Sequence, residues 1–421
     1  MRRIGNIRNM SGALTNLNNS NITAVNKELL YGARNYEPIM VNICHAKGIY
    51  MFDDKNKRYY DYLAGYSSVN QGHCNTRIVK AAINQMQRLT LTSRAFTNDK
   101  LGAYFEFMTK TFKYDSILPT NTGVEAGETA VKLARLWGYK HKNVPENEAV
   151  VCFATNNFWG RSIAAISSSN DPKCYKNFGP YTPGLQLIKY NDIDALKTAY
   201  EENPNIVAYM AEPIQGEAGI IIPDEGYLKK VRKLCDDYNV LFIADEIQTG
   251  LGRTGKLMAC DYDKIKPDML LLGKALSGGL MPISCVLADN HVMKHMGINM
   301  HGSTYGGNPL SAVIAETAVR YTIDRKLPAN SFVLGVHFRD ELQRIQHKYS
   351  YIKDIRGKGL MNAIQCTDAK TASTLVTRLR ENNILTKTTH ETTLRMTPPL
   401  IITERQLNES LEHIEKAMGE V

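Results

Sequence analysis

A chain of 421 residues, 43% hydrophobic and 22% charged, is long enough to bury a large core and to form two domains. Its net charge of +9 is modest at this length, and no nucleic-acid-binding motif accompanies the small basic clusters; no apolar run approaches membrane-spanning length. Eight dispersed cysteines without a C-x-x-C pair argue for a reducing compartment and against a disulfide scaffold or structural zinc.

Residues 1–27 contain Arg2, Arg3, Arg8 and Lys27 but no acid, and are rich in Asn and Ser. That fits a basic mitochondrial presequence. Gly5 and the asparagines make a poor helix and fit a disordered tail equally, so the compartment stays open between cytoplasm and mitochondrial matrix. Residues 28–63 read as an entry segment with Tyr36 and a hairpin pattern over 48–61 around a polar turn. Residues 79–89 have helical spacing. A short strand over 116–119 leads into Asn121-Thr122-Gly123-Val124, after which Ala126, Ala130, Leu133, Ala134 and Trp137 fall on one helical stripe. A strand, a tight turn and a capped helix suit an anion, because the first amides of the helix point outward at its positive end. An ordinary capped helix has the same signature.

Strands and helices then alternate. Residues 149–153 read as a strand followed by the loop Asn157-Phe158-Trp159-Gly160-Arg161. Residues 206–210 read as a strand running into Glu212-Pro213 and Glu217, and residues 227–238 as an amphipathic helix. Residues 240–244 and 269–272 are short apolar runs with little alternation, the pattern of strands covered on both faces. This rhythm predicts an α/β fold with a mostly parallel central sheet and helices on both faces. A glycine-rich loop over 301–309, a helix over 310–325, and a smaller α+β region from residue 352 complete the chain.

The last two apolar runs end in charge: Asp245 closes the first, and Lys274 follows the second. Parallel α/β sheets place their ligands at the carboxyl ends of their strands. Pyridoxal phosphate needs this pair, a lysine for its Schiff base and an acid at its pyridine nitrogen. A structural ion pair at the sheet edge is the alternative, and the two residues alone do not choose between them. Gly250 to Gly255 matches a dinucleotide fingerprint, but no long helix opens after it, and Leu257 stands where a phosphate loop needs Ser or Thr. We read it as a glycine-rich turn. His291 and His295 have no acid between them and read as a solvent-facing pair, and no G-x-S-x-G elbow is present.

Together these segments resemble the class III aminotransferases, pyridoxal-phosphate enzymes of fold type I, from residue 28 onward. The segments that carry the likeness are 66–73, 91–96, 121–129, 157–161, 212–219, 242–252, 271–279 and 301–309. The resemblance implies that Lys274 and Asp245 are catalytic and that Gln248 meets the ring hydroxyl while Phe158 stacks on the ring. It implies that Thr122, Gly123 and Val124 seat the phosphate. Ser303 and Thr304 would reach it from the other subunit of a homodimer, or of a higher homo-oligomer, with shared sites. Arg161 and Arg395 would clamp substrate carboxylates, Glu217 would mask Arg395, and Tyr36 and Tyr66 would shape the pocket. The implied reaction moves the δ-amino group of L-ornithine to 2-oxoglutarate, linking arginine breakdown to proline and glutamate. Acetylornithine or 4-aminobutyrate as amino donor is the sibling reading; a non-catalytic binding protein on the same fold, or a nucleotide enzyme built on residues 250–256, is the rival. The implied division is a tail over 1–27, an N-terminal segment over 28–65, a large cofactor-binding domain over 66–315 and a small domain over 316–421. Ala64-Gly65 and Asn75-Thr76 depart from the usual Ser-Ser and His-Pro of close relatives.

Overall fold

The structure, a computed structural model, describes residues 24–421; residues 1–23 of the presequence-like tail 1–27 lie outside them. Two compact units separate: residues up to 46 with 51–58, and residues 47–50 with 59–421. The first holds the helix Ala24–Tyr31 and short strand segments. Its polar turn forms where the sequence places one, because the Asp53 carboxylate accepts from the Lys55 and Lys57 amides. Tyr36 lies in this unit, largely exposed.

The larger unit is built on a seven-stranded sheet. Its order is Ser116–Thr120, Ser284–Ala288, Met269–Leu272, Leu241–Asp245, Ile206–Ala211, Val150–Ala154 and Leu185–Ile188. Ser284–Ala288 runs antiparallel to both its neighbours, and the other neighbouring pairs are parallel. Every residue of Ile206–Ala211, Leu241–Asp245 and Met269–Leu272 is buried. The reason is visible along one strand. Ile243 packs with Ala126, Leu133 and Trp137 of the helix Gly123–Lys140 on one face. Phe242 and Ala244 pack with Tyr227 and Val231 of the helix Tyr227–Asp237 on the other. An unbroken apolar run is what two covered faces require.

A second, antiparallel sheet joins Ile352–Lys358, Met361–Cys366, Thr393–Met396 and Thr388–Thr389. The helices Leu327–Gln346, Ala369–Glu381 and Glu404–Met418 share its core through Phe338, Leu375 and Ile414. This is the smaller α+β region expected beyond residue 352.

The 250–255 stretch is a turn directed into the protein. Arg253 is fully buried and donates to the Leu360 and Pro398 carbonyls and to Asn70 Oδ1. Gly252 has φ +93°, and a Cβ there would sit 3.1 Å from Leu400 Cδ1. Its glycines serve close packing, with no room for a dinucleotide. Among the described residues no helix is long and apolar enough to cross a membrane.

Candidate active site

The strand ends of the central sheet meet at a cavity of about 260 Å³ whose walls include Gly123, Val124, Phe158, Glu212, Glu217, Asp245, Gln248 and Lys274. Asp245 closes its strand and turns inward, where Oδ1 accepts from the Ile247 amide at 3.0 Å. Burial pushes its carboxyl up to about 6, against the pull of the Ile247 hydrogen bond and of Lys274. One strand over, the chain leaves Leu272 through Gly273 and enters a 3-10 turn at Lys274 with φ +44°. A left-handed lysine is strained by roughly 1 kcal/mol or more. Burial drives its ammonium below the ordinary range; Glu217 opposes that shift, and Arg395 adds to it.

A place suited to an anion follows from how the helix Gly123–Lys140 starts. Thr122 Oγ1 accepts from the Glu125 amide, and Glu125 reaches back to the Thr122 amide at 2.9 Å and the Asn121 amide at 2.6 Å. This capping box uses up the amides before the helix. The Gly123 and Val124 amides are left with no acceptor among the described residues. They line the cavity at the positive helix end. Gly123 is also sterically set: a Cβ there would come within 3.1 Å of Ile247 Cδ1.

Phe158 forms another wall, held from beneath by a residue that sequence reading passes over. Glu212, just past the strand Ile206–Ala211, accepts from the Phe158 amide at 3.1 Å and from the Gly216 amide at 3.0 Å. Burial and the nearby Asp245 push its carboxyl up to about 8. The signal available was a lone acid beside Pro213 at a strand end. Gly216 is a second omission. A Cβ there would lie 1.8 Å from Gln248 Oε1, so only glycine lets Gln248 stand where it does.

Glu217 and Arg395 form an ion pair, Oε2 to Nη2, at 2.6 Å. Gln248 joins both, donating to Glu217 at 3.4 Å and accepting from Arg395 at 3.3 Å. Tyr66, itself in a left-handed conformation, places its ring 5.2 Å from the Arg395 guanidinium. Burial would raise the Glu217 carboxyl, but Arg395, Lys274 and the Gln248 hydrogen bond hold it below its usual range. The Arg161 guanidinium lies 5.6 Å from the Phe158 ring, outside the inner cavity. Ser303 Oγ accepts from Asn121 Nδ2 at 2.9 Å within the same chain, and neither Ser303 nor Thr304 lines the cavity.

An acid, a lysine, an anion seat and a flat aromatic wall around one cavity fit pyridoxal phosphate. A buried carboxylate at Asp245 suits a protonated ring nitrogen, and the two outward amides suit a phosphate. The family model for class III aminotransferases matches residues 31–418. The chain belongs to the class III aminotransferases. Among its relatives in that family, the mitochondrial ornithine aminotransferase of Drosophila melanogaster is 50% identical over 392 residues, covering 93% of this chain and 90% of that one. A Toxoplasma gondii ornithine aminotransferase, crystallised with oxidised glutathione and described with partial occupancy of pyridoxal phosphate at its active site, superposes with a TM-score of 0.93. It is 44% identical, covering 99% of this chain and 98% of its own. An acetylornithine aminotransferase from Elizabethkingia anophelis superposes at 0.87 with the same 44% identity, over 94% and 98%. The class III aminotransferases are pyridoxal-phosphate enzymes, and the expected fold and cofactor stand.

Proposed function

We propose that this class III aminotransferase moves the δ-amino group of L-ornithine to 2-oxoglutarate, giving glutamate 5-semialdehyde and glutamate. The observation that carries this reading is the masked arginine, Arg395 paired with Glu217 at 2.6 Å on the wall that holds Lys274. An enzyme that admits only dicarboxylates has no use for an acid there. One that must also admit an amine-bearing carbon chain does, because a bare guanidinium would draw the substrate's carboxylate to the wrong end.

When bound, pyridoxal phosphate supplies a protonated ring that accepts electrons from the carbon losing its proton. The chain's residues do the rest. Gly123 and Val124 would seat the phosphate, with Thr122 setting their geometry. Asp245 would hold the ring nitrogen protonated, Phe158 would flank the ring, and Gln248 would serve the ring hydroxyl as well as the ion pair it bridges. Lys274 Nζ, held below its ordinary pKa by burial, can take a proton and return it to another carbon. For ornithine, Glu217 stays on Arg395, and Arg161 takes the far carboxylate. For 2-oxoglutarate, Glu217 swings away and Arg395 binds the α-carboxylate through two parallel hydrogen bonds. Glu217 is 31% exposed, while Arg395 is 3% exposed, so the acid is the partner free to move. Tyr66 would narrow the pocket for free ornithine.

Ser303 and Thr304 are proposed to complete a partner subunit's phosphate seat in a homodimer, to be tested by sedimentation with and without substitution of both. Within the larger unit, residues 66–315 would form the cofactor domain and 316–421 the small domain. Mitochondrial naming of the fly relative favours the matrix over the cytoplasm, and comparing the mature N-terminus with Met1 tests it. The function itself is tested by mixing cofactor-loaded protein with ornithine, N-acetylornithine or 4-aminobutyrate and following the absorbance of the bound cofactor. The ornithine half-reaction is expected to be fastest. A faster rate with either other donor moves the assignment to that activity.

A further inference from the structure

Outside the inner cavity lies a second one, of about 490 Å³, and Phe158 and Glu217 line both. It adjoins the site through those two residues, and its walls carry six charged side chains or partners of them. Two pairs cancel: Lys173 with Glu391 at 2.9 Å, and Glu217 with Arg395 at 2.6 Å. Arg161 and Asp171 remain. Arg161 is in no ion pair or hydrogen bond among the described residues; its guanidinium lies 5.6 Å from the Phe158 ring, and its charge reaches Asp171 and Cys174. Asp171 has no ion pair either. It caps the short helix Pro172–Tyr175 through the Lys173 amide at 2.9 Å and accepts from the Cys174 thiol at 3.3 Å. His390, the remaining titratable wall residue, has no ion pair.

A guanidinium and a carboxylate close enough to feel each other's charge, yet in no ion pair among the described residues, line one cavity and together complement a zwitterion. The free end of ornithine, once its δ-amine faces Lys274, is a zwitterion: one α-ammonium and one α-carboxylate. Resting on the reading above, we propose that Asp171 recognises the α-ammonium of ornithine while Arg161 takes its α-carboxylate, which makes Asp171 a specificity residue for amino donors. The far end of glutamate carries a carboxylate alone, so Asp171 repels it. The site thus favours ornithine over a donor of the same length without the α-amino group. Burial works to raise the Asp171 carboxyl, but the Lys173 amide, the Cys174 thiol and the charges of Lys173 and Arg161 outweigh it and keep it ionised.

The test compares ornithine with 5-aminopentanoate, which is ornithine without its α-amino group, in wild-type holoenzyme and in Asp171→Asn. Asparagine is as good a helix cap as aspartate and removes only the charge. The ratio of kcat/KM for ornithine over 5-aminopentanoate is expected to fall about tenfold, the scale of one charge-assisted contact, mostly through KM. kcat/KM for glutamate is expected to hold or rise. Asp171→Ser, also a cap without charge, is expected to give the same ratio. If both donors fall together and the ratio holds, Asp171 only caps its helix and the inference is overturned. If wild-type enzyme turns over 5-aminopentanoate but not ornithine, the functional reading falls first and takes this inference with it.

Discussion

At the scale of single residues, the site is a set of buried charges that correct one another. Glu217 neutralises Arg395, and Gln248 ties the two together. In Glu217→Gln the guanidinium keeps a hydrogen-bond partner but loses its counter-charge. We expect kcat/KM for ornithine to fall by about tenfold or more, because its α-carboxylate now competes for Arg395, while glutamate is unaffected or improved. Stopped-flow half-reactions with the two donors check this. Asp245 and Glu212 give a pH signature. Their carboxyls in the folded protein are raised to about 6 and about 8 by burial. A raised carboxyl favours folding most below its unfolded value and loses that contribution as pH rises through its folded value. Cofactor-free protein should therefore lose thermal stability between about pH 4 and 8, with Asp245 accounting for roughly 3 kcal/mol at most. With Asp245 as the proposed partner of the ring nitrogen, bound cofactor would place a cation against it, so the gain in Tm on adding cofactor should grow between about pH 4 and 6. A gain that is flat with pH counts against Asp245 as the partner of the ring nitrogen.

At the scale of elements, one helix start and one strand exit shape the cavity proposed for the cofactor. The capping box at Thr122 and Glu125 removes competing donors and leaves two amides for an anion. Thr122→Ala should cost about 1 kcal/mol of stability and weaken cofactor binding several-fold, since the turn that aims those amides loosens. Thermal melts and equilibrium dialysis report the two effects separately. Asn75, one of the two departures from the family pattern, has an equally local explanation. Its side chain accepts from the Arg77 and Ile78 amides and caps the helix Thr76–Met86. The other departure, Ala64-Gly65, falls in a left-handed bend, with φ +50° at Ala64, +54° at Gly65 and +55° at Tyr66. That bend sets the ring of Tyr66 near Arg395.

At the scale of the molecule, Arg253 shows how distant segments are tied. It donates to two carbonyls, at Leu360 and Pro398, and to the side chain of Asn70, with no carboxylate among its hydrogen-bond partners. Arg253→Leu would leave three buried acceptors unsatisfied at about 1–3 kcal/mol each, and we expect a loss of more than about 3 kcal/mol in chemical denaturation. Any protein that still folds should keep its ordinary donor preference, because Arg253 lines neither cavity. Only the amount of folded enzyme should change.

What could be read without coordinates was whatever repeats with a period or stands next to its partner in the chain. Buried parallel strands are unbroken apolar runs, so Leu241–Asp245 and Met269–Leu272, and the acid and lysine that follow them, were legible from local pattern alone. The capped start of the helix after Thr122 was legible for the same reason, since a cap acts within one turn of its own chain. Glu212, Gly216 and Asp171 were not. Glu212 acts on an amide 54 residues away, Gly216 is glycine because of a side chain 32 positions on, and Asp171 lines a cavity with Arg161 while standing in no ion pair itself. Those facts concern space and leave no mark on the local sequence. Chemistry written in neighbours survives in one dimension, whereas charge balance and close approach exist only once the chain is folded.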